Sequence, residues 1–395
     1  MERLFVGVDI SKDSFSAAGL DDEGKECFSG FYSMDSEGFG KFLEMLIKRC
    51  PDHQKVLVAM ESTGCYHINL FSFLTSQGIL AVVLTPLLIA NFAKRSLRKT
   101  KTDKKDARTI AKFLLENREE ISHLSVSQDL QDLRDLARER ESVSHLISAT
   151  KVDIKRVLRT IFPELESVGD PFTRRMFRFL KEYPSARRVK MEKVKNLAKV
   201  LNQRQVGNKP SYSAEDILRA ATRSIATVSP AKEVILQGKI ATDLHLQERL
   251  EELTKLLKDF CQATRDEDFR ILRSIKGVGP NTGVPFLAEM GSVENFSSSK
   301  KLIAFAGMDP SVCQSGTFIG KSKLSKRGNR HLRRAIYLMT ASVVSQNAFF
   351  KEYFIRRKKE GLIPQKALLA TAHKLIRVIF AMLSHRTYFQ LKMAQ

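Results

Sequence analysis

Four acidic residues occupy positions at which the presence of a carboxylate calls for a physical explanation. Asp9 lies inside the apolar run LFVGVDI, where a carboxylate costs on the order of several kcal/mol unless it is paired or binds a metal ion. Glu61 closes a second apolar run at the end of a predicted strand, where α/β folds place their sites. Asp103 and Asp106 are three residues apart at the predicted start of a helix, so both project from one face.

The chemistry that these acids suit is metal-assisted cleavage of a phosphodiester. Carboxylates without a His or Cys pattern fit Mg²⁺ or Mn²⁺ rather than zinc, and two such ions about 4 Å apart stabilise both the attacking and the leaving oxygen. Residues 94–112 carry nine Lys or Arg besides Asp103 and Asp106, and no other acid. Each acid alone also has a plainer interpretation: Glu61 as a solvated strand end, and the Asp pair as helix N-terminal acids favoured by the dipole.

The charge balance indicates a polyanionic partner. Sixty-six Lys and Arg stand against 44 Asp and Glu, which leaves +22 and a pI near 9.8, and each cation that meets a phosphate releases condensed counterions. Residues 174–209 are especially basic, with twelve Lys or Arg and two acids, and are either a nucleic-acid surface or a solvated face. No stretch reaches the roughly 20 uninterrupted apolar residues of a membrane span. The five scattered Cys indicate a reducing cytoplasm.

The region after Pro310 could hold a nucleophile. No acid occurs between Pro310 and Lys351, while Lys and Arg crowd the segment, so a hydroxyl there could attack phosphorus while cations stabilise the developing charge. The residue types alone do not choose among four serines, Ser311, Ser315, Ser322 and Ser325. Upstream, residues 275–283 (IKGVGPNTG) link two predicted helices through glycines, as a DNA-gripping helix-hairpin-helix or as a plain turn.

The pattern of elements predicts three domains. Residues 1–125 begin with three antiparallel strands and continue as strands alternating with helices, including helices over 37–49, 66–77 and 86–96. Residues 126–265 carry two apolar heptad-like runs that could pair as an antiparallel coiled coil, within or between chains, or as plain bundle helices. Residues 266–395 are mainly α-helical.

Several motifs in order resemble the DEDD transposase family of bacterial insertion sequences, the IS one-ten group, which is related to pilin-gene invertases. VGVDISK, AMESTGCYH and KTDKKDARTIA resemble its N-terminal part, and LRSIKGVGPNTGVPFLAEMG, LIAFAGMDPSVCQSG and KLSKRGNRHLRRAIYLMTAS resemble its C-terminal transposase domain. The resemblance covers roughly residues 1–115 and 265–350, and the middle matches only in helical character.

The resemblance implies a RuvC-like ribonuclease H fold with Asp9, Glu61, Asp103 and Asp106 as ligands of Mg²⁺ or Mn²⁺, and a serine nucleophile at Ser315. It implies a recombinase of double-stranded DNA (element ends and target), in several members directed by a structured guide RNA. The assembly would be a dimer or tetramer through the coiled coil, in the bacterial cytoplasm at the nucleoid and without a membrane. A site-specific invertase of the same family and a RuvC-type junction nuclease remain the alternatives. The candidate nucleic-acid contacts are Lys101, Lys104, Lys105, Gly277, Gly279, Lys321, Lys323, Lys326, Arg327, Arg330 and Arg333.

Overall fold

The computed structural model describes residues 3–61, 66–84, 89, 92, 103–118, 128–202, 212–311, 314–315, 318–319 and 323–390, without the side chains of residues 103, 104, 128 and 310–323. Most of the predicted helix over 86–96 lies outside these residues. The chain divides into two compact units. The first unit is Met1–Asp132 with Met290–Ala304 and Leu383–His385, and the second is Leu133–Glu289 with Phe305–Met382 and Arg386–Gln395. The three-domain division stays a prediction.

The first unit is built on a mixed five-stranded sheet in the order β3-β2-β1-β4-β5. Its strands are β1 (Leu4–Ile10), β2 (Ser14–Leu20), β3 (Glu26–Ser33), β4 (Val56–Glu61) and β5 (Leu80–Leu84). The pairs β1–β2 and β2–β3 are antiparallel, whereas β1–β4 and β4–β5 are parallel. Its helices include α1 (Ser36–Arg49), α2 (His67–Ser76) and α3 (Asp103–Glu116). The predicted opening meander and the α/β alternation up to β5 are confirmed, and the sheet fits a RuvC-like domain.

Both faces of this sheet are covered, which explains the nearly continuous apolar runs in β1 and β4. On one face Val6 and Val8 pack with Phe42 of α1 and Leu70 of α2. On the other face Phe5, Leu57 and Ala59 pack with Ile110 and Leu114 of α3. The side chains of β1 and β4 therefore alternate between α1 and α2 on one side and α3 on the other.

The second unit is helical and contains two long helices, α4 (Gln128–Ile161) and α10 (Pro230–Arg273), whose paired parts lie in it. Arg140 on α4 donates to the Thr254 hydroxyl over 2.8 Å, and Lys239 contacts Asp153 over 2.6 Å. Later residues on α4 thus meet earlier residues on α10, so the helices run antiparallel within one chain. Coiled-coil packing of this pair stays a prediction.

The connection between α4 and α10 is a small helical subdomain. Its helices are α5 (Leu165–Val168), α6 (Arg174–Glu182), α7 (Ala186–Lys190), α8 (Val194–Asn202) and α9 (Ala214–Thr222). After α10 follow α11 (Pro280–Met290), α12 (Ser299–Phe305), α13 (Arg330–Gln346), α14 (Ala348–Lys359) and α15 (Pro364–Ser384). Four two-residue strands lie between α12 and α13: β6 (Pro310–Ser311), β7 (Gln314–Ser315), β8 (Phe318–Ile319) and β9 (Lys323–Leu324).

Among the described helices, α15 alone has the length and hydropathy of a membrane span, with 21 residues. It buries Leu375, Ile376 and Ile379 inside the protein and carries Lys374 and Arg377. These features are typical of a core helix of a globular protein.

Candidate active site

Asp9 and Glu61 end two neighbouring parallel strands. The β1–β4 register pairs Val8 with Met60, so the next residues along the two strands, Asp9 and Glu61, follow side by side. Both are half-buried. Side chains alternate along a strand, so Asp9 lies on the same face of the sheet as Gly7, and Glu61 lies on the same face as Ala59. Both belong to the face of the sheet that α3 covers. The sheet therefore brings the first two predicted acids together at one edge.

Helix α3 packs directly against β1 at Gly7. A Cβ at position 7 would lie 2.1 Å from the carbonyl oxygen of Ala107 and 2.3 Å from the amide nitrogen of Ala111. Phe5, earlier in the strand, packs in one cluster with Ile110 and Leu114, later in the helix. The helix thus runs against the strand direction, and its first turn passes toward the strand end that carries Asp9.

That first turn carries the other two predicted acids. Asp106 directly precedes Ala107 and is half-buried, while Asp103 begins α3 with its side chain outside the described part. The backbone therefore directs Asp9, Glu61 and the turn with Asp103 and Asp106 to the same edge and face of the sheet. This convergence is what a four-carboxylate site requires of the fold.

The donor set decides which metal would fit. All four acids offer oxygen only, which suits Mg²⁺ or Mn²⁺. Among the side chains that the structure describes, no three His, Cys, Asp or Glu form a group that could hold an ion. The carboxylate of Asp103 is not among those side chains. The oxygen donors of the tetrad suit such an ion by their chemistry, and the binding of a metal by these four residues stays a prediction.

Ser315 lies in the pair of short antiparallel strand ladders β6–β9 and β7–β8, here together named the arm. In the arm Pro310 pairs with Leu324, Ser311 with Lys323, Gln314 with Ile319, and Ser315 with Phe318. Ser315 is thus a strand residue of the arm, and the sequence pattern did not predict these strands.

Hydrogen bonds join the two chain segments that flank the arm, residues 305–309 and 325–329, and these segments are here named the stem. The Asn329 amide donates to the Phe305 carbonyl over 2.8 Å, and the Ser325 amide donates to the Asp309 carbonyl over 2.9 Å. The Ser325 hydroxyl also donates to the Asp309 carboxylate over 2.5 Å. Ser325, one of the four serines that residue types alone do not separate, therefore has a structural partner that fixes the base of the arm.

Two glycines let the stem close. Gly307 has φ +65°, and a Cβ on Gly328 would lie 2.3 Å from the Phe305 carbonyl oxygen. The Arg333 guanidinium donates to the Ala306 carbonyl over 2.8 Å. Arg333, predicted as a nucleic-acid contact, thus supports the stem.

A buried ionic network holds the start of α13, directly after the arm. Glu289 is 1% exposed, and Arg138 of α4 donates to both its oxygens over 2.7 and 2.9 Å. Asn329, which caps α13, donates to Glu289 over 2.7 Å. Burial alone would raise the pKa of Glu289, but the hydrogen bond and charge of Arg138, with Asn329 and His331, outweigh it and lower that pKa.

Sequence reasoning missed this network, although a signal was present. Glu289 interrupts the apolar run VPFLAEM much as Asp9 interrupts its own strand. Asn329 stands directly before a long helical pattern, as an N-cap does. The partner, Arg138, lies about 150 residues upstream in sequence, and no local pattern joins the two.

The remaining candidate nucleic-acid residues fall into two groups. Lys105, Lys326, Arg327 and Arg330 are exposed, as a contact with a phosphate backbone requires. Lys101 and Lys321 lie outside the described residues, as do the side chains of Lys104 and Lys323.

The predicted glycine hairpin is a tight connection between α10 and α11. Gly277 has φ +104°, and a Cβ there would lie 2.7 Å from the Cα of Val343 on α13. Ser342 donates its hydroxyl to the Gly277 carbonyl over 2.7 Å. Gly279 has open space around it. Packing against α13 thus accounts for Gly277 without DNA, and the DNA-gripping role of the turn stays a prediction.

Two parts of the chain, one in each half, match known protein families. Residues 6–163 match a family described as Transposase, the DEDD transposases of IS110 elements, and residues 269–354 match the Transposase IS116/IS110/IS902 family. The chain belongs to this family of insertion-sequence transposases, which are DNA-recombining enzymes.

Relatives align along almost the whole chain. An uncharacterized 44.8 kDa protein of insertion element IS116 from Streptomyces clavuligerus is 25% identical over 98% of this chain and 96% of its own. The transposase for insertion sequence element IS1111A of Coxiella burnetii is 23% identical over 98% of this chain and 91% of its own. A pilin gene-inverting protein of Moraxella lacunata is 21% identical over 98% of both chains.

Proposed function

We propose that this protein cleaves and rejoins DNA to excise and insert a mobile element, through a metal-dependent acidic tetrad and a serine–DNA covalent intermediate. One observation carries the proposal: the β1–β4 register and the seating of α3 on Gly7 direct Asp9, Glu61 and the Asp103–Asp106 turn to one edge of the sheet. A structural role would not require four acids to converge there, because like charges brought close together repel one another.

The proposed chemistry is a pair of transesterifications. The Ser315 oxygen attacks a DNA phosphorus, forms a phosphoserine diester and displaces a deoxyribose hydroxyl, which leaves with a proton. A deoxyribose hydroxyl of the new partner strand then attacks the same phosphorus and releases the serine. One phosphodiester is broken and one is formed, so no external energy source is needed.

The surroundings of the two sites assign the supporting roles. Mg²⁺ or Mn²⁺ held by Asp9, Glu61, Asp103 and Asp106 would supply Lewis-acid stabilisation of charge on the phosphoryl oxygens. The stem below the arm, with Asp309 bound to Ser325, fixes the base from which Ser315 is presented. Exposed cations of the stem, Lys326 and Arg327, neutralise the strand being cut.

The partners follow from the same proposal. The DNA partner comprises the element ends and the target, and the net charge of +22 also suits a structured guide RNA that selects them. The protein would act as a dimer or tetramer at the bacterial nucleoid, without membrane attachment.

The test is a denaturing gel that traps the protein–DNA adduct during cleavage of an element-end substrate in Mg²⁺. Wild type forms the adduct, while Ser315→Ala and Asp9→Ala bind DNA but neither form adduct nor exchange strands. Ser311→Ala is the matched control, because it removes a hydroxyl from the same arm, and it should form adduct normally. An adduct in Ser315→Ala would refute the nucleophile assignment. Cleavage by wild type with no adduct would favour a RuvC-type junction nuclease.

A site-specific invertase is the second candidate, because a pilin gene-inverting protein aligns with 98% of this chain. Transposition and inversion differ in their DNA substrates. Element ends and a structured non-coding segment beside the gene identify a transposase, whereas a pair of inverted sites around an invertible segment identifies an invertase.

A further inference from the structure

The helical subdomain between α4 and α10, residues 162–229 and here named the basic subdomain, has its own apolar core. Phe177 and Leu180 of α6, Leu197 of α8 and Ile217 of α9 are all fully buried there. The same cluster includes α4 and α10 residues such as Ile161 and Leu236. The basic subdomain is therefore packed firmly onto one end of the long helix pair.

Polar contacts fix the same joint. The Thr227 amide donates to the Thr160 carbonyl at the end of α4 over 2.9 Å. Gln237 of α10 donates to the Lys181 carbonyl over 2.7 Å. A surface on the basic subdomain is thus held in a fixed position relative to α4 and α10.

Apart from residues 162 and 163, the basic subdomain lies outside both family matches, since one ends at residue 163 and the other begins at residue 269. It is not part of the two segments that define the family, and neither the acidic tetrad nor the serine arm includes any of its residues. Its surface charge therefore needs an explanation of its own.

Its outer surface carries cations that its own acids do not neutralise. Arg174 pairs with Glu251, and Arg188 pairs with Glu233 over 3.0 Å, and both pairs join the basic subdomain to α10. Eight further cations make no ion pair with any carboxylate of the described residues: Arg175, Arg178, Lys181, Arg187, Lys190, Lys193, Lys195 and Lys199. Most of them are exposed on α6, α7 and α8. Such a field is self-repelling and favours a polyanion.

The side chains between these cations indicate the kind of polyanion. In the described part of the basic subdomain no aromatic ring is exposed, because Phe172, Tyr183 and Tyr212 are half-buried against its core. Recognition of single-stranded nucleic acid relies on rings that stack on unpaired bases. A surface of cations without such rings fits the phosphate backbone of a duplex.

We propose that the basic subdomain is a docking surface for the backbone of duplex DNA that flanks the segment being recombined. This inference rests on the proposed function, which supplies the DNA. Along α4, Glu141, which contacts His331 at the start of α13, is separated from the helix end at Ile161 by about 30 Å at 1.5 Å per residue. That span is close to one turn of B-DNA. The basic subdomain would therefore contact the duplex roughly ten base pairs away from DNA that is held near the arm with Ser315.

The test removes four exposed, unpaired charges together, as Lys181→Gln, Lys190→Gln, Lys195→Gln and Lys199→Gln. Glutamine keeps helix propensity nearly unchanged. Affinity for a duplex is measured against salt concentration. If all four lysines contact phosphates, the slope of log K against log salt falls in magnitude by about 3 to 4, and affinity at moderate salt falls at least about tenfold.

A matched control removes four exposed charges from the first unit, as Lys25→Gln, Lys41→Gln, Lys48→Gln and Arg49→Gln. The control should keep the wild-type slope, and thermal unfolding confirms that both variants are folded. Equal slopes in the two variants would overturn the proposal. Loss of binding to a structured RNA with unchanged binding to duplex DNA would also overturn it, in favour of an RNA surface.

The outcome is separable from that of the proposed function. At saturating DNA the basic-subdomain variant should still form the serine adduct, because its catalytic residues are intact. If the recombinase chemistry itself were wrong, no variant would form adduct, and the salt slopes would still report on the docking surface.

Discussion

Gly7 on β1 and Ala107 on α3 meet backbone to backbone, so closely that a Cβ at position 7 would lie 2.1 Å from the Ala107 carbonyl oxygen. Gly7→Ala must therefore lift α3 from the sheet. We expect a loss of roughly 1–3 kcal/mol in unfolding free energy, as for overpacked core sites. The displaced helix start also separates Asp106 from Asp9, so DNA cleavage should fall more than DNA affinity does. Urea unfolding and a cleavage assay measure the two effects.

Gly40→Ala is the control for that substitution. Gly40 lies inside α1, and a Cβ at this position would have nothing within 4 Å. Alanine in a helix interior stabilises by about 0.5–1 kcal/mol over glycine, so this variant should be at least as stable as wild type. Equal losses in the two variants would show that Gly7 has no special role in seating α3.

Glu289→Gln should strongly destabilise the second unit. The substitution removes the charge that pairs with Arg138. Because the Arg138 side chain is 42% exposed, the loss should stay below that of a fully buried pair and amount to about 1–3 kcal/mol. Glu252→Gln is the control, because its pair with Arg249 is exposed and is worth at most about 1 kcal/mol. Denaturant unfolding of both variants should separate them clearly, and a small loss for Glu289→Gln would contradict the role of the network.

The Glu289 contribution should depend on pH with a defined sign. The folded-state pKa of Glu289 is lowered below its ordinary value of 4.5, so the folded protein releases this proton more readily than the unfolded chain. The stabilisation is present above about pH 4.5 and is lost as the pH falls through the folded pKa. The difference in unfolding free energy between wild type and Glu289→Gln should therefore shrink in acid, and a constant difference would argue against ionisation.

Asp243→Asn should stabilise the protein at neutral pH. Asp243 is fully buried on α10, its Oδ1 has no hydrogen-bond partner among the described residues, and burial raises its pKa despite a hydrogen bond from Gln247. The charged form is thus disfavoured in the folded state. The neutral amide removes that penalty and should gain about 1 kcal/mol.

The pH dependence of that gain provides the check. Because the folded pKa of Asp243 is raised, the carboxyl favours folding only below its unfolded pKa, near 3.8, and this advantage is lost as the pH rises through the folded value. The gain from Asn should therefore fade in acid. Destabilisation at pH 7 would instead show that the Lys151 charge outweighs burial.

Gly277→Ala should destabilise the α10–α11 turn by about 2 kcal/mol, since a positive φ and a close approach to α13 both oppose a side chain. Gly279→Ser has open space and should be tolerated within about 0.5 kcal/mol. If DNA affinity nevertheless drops in folded Gly279→Ser, the turn has the DNA contact expected of a helix-hairpin-helix. Calorimetry and a binding titration separate these effects.

The sequence was sufficient to predict the sheet because its strands differ in pattern from the helices around them. The apolar run that contains Asp9 predicts a buried strand, and the later runs alternate with helical periodicity. Placing the acids at strand ends and a helix start then followed from the general geometry of α/β folds. The seating of α3 did not follow, because nothing local in VGVD tells that Gly7 faces a helix a hundred residues downstream.

The helix pair illustrates the same limit. In the sequence Arg140 and Lys151 interrupt an apolar seam, yet in the structure Arg140 bonds to Thr254 and the Lys151 charge acts on Asp243. Each interruption is explained by a partner on the other helix. Partners so distant in sequence are set by tertiary contact, which periodicity does not encode.

The hydrogen bond between the Thr227 amide and the Thr160 carbonyl has an evolutionary consequence. The chain leaves α4 and returns toward α10 at nearly the same point, so the two ends of the basic subdomain lie next to each other. Segments with adjacent ends are readily gained, lost or exchanged without disturbing the scaffold that bears them. Members of the family could thus change how they hold flanking DNA by swapping this one module, while their catalytic parts stay the same.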